Sequence, residues 1–253
     1  MNAIITPGRI LTASGFIGLS ILCVISEDFI VGRPPAWPTD FNFNPILGYS
    51  TAALLFVCAV MIFTKKNGGL ASIIIAVLIL LLSLIRHLIQ FVDWLNALKT
   101  AALLGGALIV AVSFLREDSR LTATIRVHAS ARNTLTWVGC ILLAAFFIAA
   151  GYAHFKFDDF VKNYIPAYIP FRSFWTYFTA ICLYAGGIGI LIPQTRKWAA
   201  LLSGVMVLGW FLLLHIPKVI TDLNNVGEQF GLGESLTFAG MFLVLSGISK
   251  RSE

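Results

Sequence analysis

Polar residues interrupt this chain only at long intervals, and eight apolar runs lie between them. The runs occupy about 10–28, 46–64, 70–91, 98–115, 134–153, 174–192, 198–216 and 235–249. About 20 residues of α-helix span a hydrocarbon core of about 30 Å, and most of the runs approach that length. Because lipid offers no hydrogen-bond partners to the backbone, such runs form helices. The pattern predicts an all-α membrane protein with about eight transmembrane helices.

The same arrangement of residues occurs twice along the chain. Residues 48–96 align without a gap on residues 176–224, at a constant offset of 128, and twelve of the 49 positions are identical. One identical pair is His87 and His215, although the whole chain contains only four histidines. Shared apolar composition does not place two such rare residues opposite each other. The alignment therefore predicts an internal repeat and marks its polar positions for inspection.

The repeat divides the chain into two predicted four-helix units. The first covers about 1–115 and the second 134–253, and a basic segment at 116–133 links them. Four crossings return each unit to the side where it began, so both units insert in the same orientation. Parallel repeats of this kind are related by an axis along the membrane normal.

Composition and charge support the bilayer and predict an orientation in it. The chain is 58% hydrophobic and 12% charged, which is too little charge to cover a water-soluble domain of this size. The side that carries both termini has eleven Lys and Arg and three Asp and Glu, a net charge of +8, against −2 on the other side. This bias predicts cytoplasmic termini in a bacterial-type inner membrane. The basic pI of 9.3 then reflects topology and anionic lipid headgroups, and no nucleic-acid partner is expected.

Several kinds of chemistry find no support in the sequence. No C-x-x-C pair, metal-ligand spacing, phosphate-binding loop or nucleotide-binding fingerprint occurs, so no metal site is predicted. The cysteines fall in the middle of predicted helices and are interpreted as packing residues. They are Cys23, Cys58, Cys140 and Cys182.

The candidate site residues lie near predicted helix ends on the less basic side. They are His215, His154, Lys218, Arg172 and His87. An ionisable group at membrane depth costs about 2.5–3.5 kcal/mol on insertion scales, so such groups are functional candidates by default. For each histidine the alternative is a structural hydrogen bond. For Lys218 and Arg172 the alternative is a cation that reaches the membrane surface.

Five short motifs in the second unit are similar to one known family. They are Gly151-Tyr-Ala-His-Phe155, Tyr164-Ile-Pro-Ala-Tyr-Ile-Pro-Phe-Arg172, Phe174-Trp-Thr-Tyr-Phe-Thr179, Ala185-Gly-Gly-Ile-Gly189 and Leu213-Leu-His-Ile-Pro-Lys218. Over about 135–249 the chain resembles the DoxX family of small four-helix membrane proteins. The first unit looks like a degenerate copy, because it keeps His87 but lacks a counterpart of His154 and of the Gly-rich run. The resemblance implies membrane redox work, since DoxX-like proteins include a subunit of a thiosulfate:quinone oxidoreductase.

Three functions follow as hypotheses. The first is a quinone-linked component of a membrane oxidoreductase system, in which His154 and His215 meet a quinone headgroup and exchange protons with it. Its partners are the lipid bilayer, a quinone as cofactor, and a soluble or membrane redox partner that supplies electrons. The second is a transporter or carrier of a lipophilic ligand. The third is a non-catalytic membrane scaffold or assembly factor, so the residues leave open whether the protein is an enzyme.

Overall fold

The computed structural model describes residues 3–29, 31, 45–84, 86–87, 93–115 and 129–249, and every regular element among them is helical. The helices are α1 Ile5–Ile25, α2 Pro45–Phe63, α3 Gly68–Ile79, α4 Trp94–Leu115, α5 Ala129–Lys156, α6 Asp158–Tyr164, α7 Arg172–Leu191, α8 Arg196–Trp210, α9 Ile216–Thr221 and α10 Val226–Ile248. A π-helical segment, Leu80–Leu84, continues α3, and a second, Phe211–His215, joins α8 to α9. The prediction of an all-α chain is confirmed for these residues.

Seven helical stretches in the described part of the chain are long and apolar enough to cross a membrane. One of them is the continuous stretch Arg196–Thr221, which includes α8, its π-helical segment and α9. The run predicted at 70–91 gives a shorter apolar helix, Gly68–Leu84, and residues 85 and 88–92 lie outside the described part. Among the described residues, seven of the eight predicted runs therefore give a long apolar stretch.

Several predicted boundaries are wrong because hydropathy drops where polar residues have protein partners. The last helix, predicted at 235–249, already begins at Val226, and its added turns hold charged residues with partners on other helices. Helix α5 begins at Ala129, so the end of the predicted linker at 116–133 is helical, while residues 116–128 lie outside the described part. A short helix, α6, follows α5 in the segment between two predicted apolar runs.

Within each half of the chain the helices pack against one another in chain order, and further contacts join the two halves. In the first half α1 packs on α2, α2 on α3 and α3 on α4; in the second half α5 packs on α7, α7 on α8 and α8 on α10. Helix α4 then packs on α5, α10 packs on α1, and α4 also contacts α10. In the 18-residue apolar part of each long stretch, 78% of the residues are buried in Val226–Ile248 and 72% in Trp94–Leu115. The corresponding fraction in Arg196–Thr221 is 22%. Helices α4 and α10 therefore form the centre.

Helix positions in the first half recur in the second half. Helix α3 begins at Gly68 and α8 at Arg196, which are 128 residues apart, and α2 and α7 end at Phe63 and Leu191, with the same separation. The two π-helical segments follow α3 and α8, at Leu80–Leu84 and Phe211–His215 respectively.

The connections between helices form two ends of the bundle. We call the end that contains residues 3–4, 64–67, 192–195 and 249 the basic end. The opposite end, which contains residues 26–29, 157–171 and 222–225, is called the histidine end. Contacts such as Asp28 with Arg86 and Tyr164 with Glu228 hold the histidine end together.

Glycines let α1 and α10 approach until their backbones touch. A Cβ atom on Gly240 would lie 2.4 Å from the backbone nitrogen of Thr12 and 2.5 Å from the carbonyl oxygen of Gly8. Distances this short require one of the two helices to move.

We expect Gly240→Ala to lower the melting temperature, since overpacking of this kind costs about 1–3 kcal/mol. Gly18→Ala is the matched control on α1, because a Cβ there meets nothing within 4 Å and alanine is the better helix former. Thermal unfolding of both variants in the same detergent measures the difference. Equal melting temperatures would contradict the close packing of α1 on α10.

Candidate ligand cavity at the histidine end

A cavity of about 490 Å³ lies between α5, α7 and the stretch from α8 to His215. We call it the main cavity. Helix α6 and the segment after it cover the cavity, with Phe160, Tyr164 and Ile169 among the lining residues. The rest of the lining is mostly aromatic and aliphatic, and His154 and His215 both contribute to it. The fold thus brings together two sequence candidates that come from different helices.

His154 is held in one orientation by its own helix. Its Nδ1 lies 2.8 Å from the carbonyl oxygen of Ala150, one turn earlier in α5. A carbonyl oxygen only accepts hydrogen bonds, so Nδ1 carries the hydrogen and donates it. The ring also lies nearly parallel to that of Trp210, with centroids 6.5 Å apart. In the neutral imidazole this arrangement leaves Nε2 with a free lone pair.

His215 ends the π-helical segment and packs directly on α10. A Cβ atom on Gly231 would lie 2.5 Å from the imidazole ring, so a glycine is needed there for this close approach. Nδ1 of His215 lies 3.8 Å from Oε2 of Glu228. The side chain is partly buried and faces a carboxylate on one side and the main cavity on the other.

Glu228 organises the polar wall beside His215. The hydroxyl of Tyr164 donates to Oε2 of Glu228 at 2.7 Å, and Nζ of Lys218 donates to Oε1 at 3.4 Å. The Lys218 ammonium also lies 3.1 Å from the centroid of the Tyr164 ring, a cation–π contact. Lys218, predicted as a ligand candidate, is therefore engaged by an internal carboxylate.

Sequence analysis missed Glu228, although a local signal was present. Its backbone N–H donates to the side-chain oxygen of Asn225, so the two residues start α10 as an N-terminal cap. An Asn followed three residues later by Glu before an apolar run is a recognised signature of a helix N-terminus. The role of the Glu228 side chain beside His215 is a tertiary contact that this signature does not show.

Arg172 lies in a different place from the histidines. It lines a second cavity of about 470 Å³, together with Lys218, Asp222 and Glu228. Tyr164 contributes to the lining of this polar cavity and of the main cavity, and it separates the two. Arg172 therefore lines the polar cavity and does not line the main cavity.

His87 lies in the first unit, apart from the main cavity. It is buried, and its Nε2 lies 3.4 Å from the hydroxyl of Thr100. Thr100 and Glu228 are 128 residues apart, as are His87 and His215. The first unit therefore has a neutral hydroxyl beside its histidine where the second unit has a carboxylate.

Helix α6 is tied to α7 over the main cavity. Asp158 pairs with Lys162 on its own helix, and the hydroxyl of Tyr177 donates to Asp158 at 2.8 Å. The Lys162 ammonium and the Tyr177 hydroxyl hold the pKa of Asp158 below its usual value, and the carboxylate raises the pKa of Lys162. These side chains are partly exposed to solvent, so the contacts position α6 and add little stability.

A buried ion pair joins the two central helices at the histidine end. Nζ of Lys99 on α4 lies 2.8 Å from Oε2 of Glu234 on α10, and both side chains are largely buried. Lys99 and Asn96 also line a third cavity of about 460 Å³, to which His154 contributes as well. Sequence analysis missed this pair, because its members are 135 residues apart in the chain.

The comparisons with known proteins cover the same part of the chain. A domain of unknown function, DUF8561, matches residues 143–227, which is about a third of the sequence and includes every lining residue of the main cavity. No curated protein and no solved structure matches the chain. Within the described residues no group of His, Cys, Asp and Glu could hold a metal ion, and no disulfide joins any of the four cysteines.

Proposed function

We propose that this chain is a multi-pass membrane protein that binds a quinone in its main cavity, as a component of a membrane oxidoreductase system. The observation that carries the proposal is that His154 and His215, from two different helices, line one otherwise apolar cavity. Small-molecule sites typically have volumes of about 300–1,000 Å³ and few polar groups in an apolar lining. At about 490 Å³ the main cavity fits that description.

The surface of the bundle supports a location in the bilayer. Large apolar side chains are exposed on the peripheral helices, including Val57 at 54%, Ile181 at 60% and Leu202 at 66%. A soluble monomer rarely exposes apolar surface on this scale. With the basic end in the cytoplasm, as the positive-inside rule requires, both termini are cytoplasmic and the main cavity lies near the outer leaflet.

The chemistry of the lining favours a quinone over other lipophilic molecules. A quinone combines an apolar tail with a headgroup that exchanges both electrons and protons. Imidazole is the side chain whose ordinary pKa suits proton exchange near neutral pH. The likeness of the second unit to the DoxX family points the same way, and the degenerate first unit then serves as a structural partner.

Equilibrium binding to purified protein in lipid nanodiscs tests the proposal. Quenching of tryptophan fluorescence is a suitable signal, because Trp175 and Trp210 line the cavity. A short-chain quinone and its hydroquinone are each titrated. We expect His154→Phe and His215→Phe each to weaken the tighter-binding form about tenfold, the equivalent of one hydrogen bond.

His87→Phe is the matched control, since His87 is the repeat counterpart of His215 and does not line the main cavity. It should bind both forms as the unmodified protein does. If neither form binds, or if both cavity variants are folded and bind normally, the proposed site is wrong. A scaffold would give that second result and would co-purify with a partner at fixed stoichiometry.

A carrier of a lipophilic ligand is the second candidate. It is favoured by the two π-helical segments, since Leu80–Leu84 continues α3 and Phe211–His215 joins α8 to α9. Such segments are frequent at functional sites. Movement of the ligand across vesicles that contain no electron donor would support the carrier, whereas binding without movement supports the oxidoreductase component.

A further inference from the structure

The polar atoms of the main cavity differ in what they can offer a ligand. His154 donates its Nδ1 hydrogen to the Ala150 carbonyl at 2.8 Å. A neutral imidazole has one donor and one acceptor nitrogen, so Nε2 can only accept a hydrogen bond from a ligand. The residue that most resembles a quinone partner therefore has no hydrogen to give to a quinone carbonyl.

The hydroxyl groups of the lining already donate their hydrogens inside the protein. Tyr164 donates to Glu228, and Thr179 donates to the carbonyl oxygen of Trp175 at 2.7 Å. The lining residues that contain N–H donors besides the histidines are the two indoles, Trp175 and Trp210. The lining thus contains one imidazole, that of His154, whose acceptor nitrogen is set by a hydrogen bond inside the protein.

The ring of His215 lies beside a carboxylate, with its Nδ1 3.8 Å from Oε2 of Glu228. This distance is too long for a hydrogen bond that would fix the tautomer of the ring. His154 is therefore the histidine of the lining whose acceptor nitrogen is set by a hydrogen bond.

A hydroxyl group matches this set of partners better than a carbonyl group does. A ligand hydroxyl can donate a hydrogen bond to the imidazole lone pair of His154. A carbonyl can only accept, so it leaves the imidazole nitrogen desolvated and without a hydrogen bond, which is unfavourable in an apolar cavity.

We propose that the main cavity selects the reduced, hydroquinone form of its ligand over the oxidised, quinone form. This inference rests on the proposed function and specifies which member of the redox couple the site holds. The two forms differ by two electrons and two protons. The hydroquinone carries those protons as its two hydroxyl hydrogens, one of which His154 accepts in a hydrogen bond.

The test is a redox titration of a short-chain quinone with dithionite as the electron donor, in the presence and absence of the protein in nanodiscs. Separate anaerobic titrations give the dissociation constant of each form. We expect the hydroquinone to bind about tenfold more tightly, as one additional hydrogen bond implies. The midpoint potential of the bound couple should then rise by about 30 mV, the value of a tenfold preference for a two-electron couple.

His154→Phe isolates the cause, because phenylalanine retains an aromatic ring beside Trp210 and removes the acceptor. We expect it to weaken hydroquinone binding and to leave quinone binding unchanged, so that the preference disappears. His154→Gln is the second variant; its side-chain amide supplies both an acceptor and a donor, so it should bind both forms with a smaller preference. His87→Phe should keep the full preference.

Each outcome bears on one proposal. Equal binding of the two forms, or tighter binding of the quinone, overturns the selectivity while the binding function stands. A preference that survives His154→Phe overturns the role of that imidazole. Failure of both forms to bind overturns the proposed function itself.

Discussion

Replacement of Gly209 by leucine is expected to abolish binding of the quinone couple while the helix bundle remains folded. Gly209 lines the main cavity, and a Cβ atom built there meets nothing within 4 Å. The leucine side chain therefore begins in open space and extends into the volume of the ligand, and leucine is the better helix former. We expect the affinity to fall at least ~100-fold, or about 2.8 kcal/mol.

Gly18→Leu is the matched control for this substitution. A Cβ atom at Gly18 on α1 also meets nothing within 4 Å, and this residue does not line the main cavity. Tryptophan quenching by the ligand should be unchanged in this variant, and both variants should keep the original melting temperature. If folded Gly209→Leu bound the ligand with normal affinity, the ligand would not occupy the main cavity. The third cavity, which Lys99 lines, would then be the next candidate site.

The second large effect is expected at the ion pair between Lys99 and Glu234. Glu234→Leu removes the carboxylate that neutralises Lys99 at the contact between α4 and α10. Loss of one member of a buried pair costs about 3–5 kcal/mol, because the other charge stays desolvated. The double variant Lys99→Met/Glu234→Leu replaces both charges by apolar groups of similar size and should recover most of that loss.

Denaturant or thermal unfolding of the two single variants and the double variant forms a double-mutant cycle. Asp159→Asn is the control, because it removes an ion pair that should contribute little to the free energy of unfolding. Its ion pair with Lys162 is long, at 3.5 Å, and the Asp159 side chain is 91% exposed, so its loss should change little. Additive effects of the two single variants would contradict a coupled pair at the centre of the bundle.

Much of the helical architecture could be predicted, because helix formation depends on local properties. Apolar runs of membrane length placed the long helices within a few residues in most cases, and the repeat marked His87 and His215 as equivalent positions. The predicted boundaries were wrong at Ala129 and at Val226, where polar residues continue a helix. A hydropathy pattern ends at such residues, since their partners lie on other elements.

The candidate site was predicted in part. His154 and His215 were named from the sequence, and the fold brings them to one cavity. Lys218 and Arg172 were named beside them, but Lys218 pairs with Glu228 and Arg172 lies in the neighbouring polar cavity. Neither fact is visible in spacing along the chain, because each depends on how α6, α9 and α10 meet.

The linear pattern alone was enough for the helical character of the described residues and for the approximate spans of the long helices. These depend on hydropathy and backbone hydrogen bonding, which act over one or two helical turns. Only the tertiary structure decided that α4 and α10 are central, that Lys99 meets Glu234, and that Glu228 faces His215 and not solvent. Those contacts join residues up to 135 positions apart, and their free energy depends on burial that exists only after the helices pack.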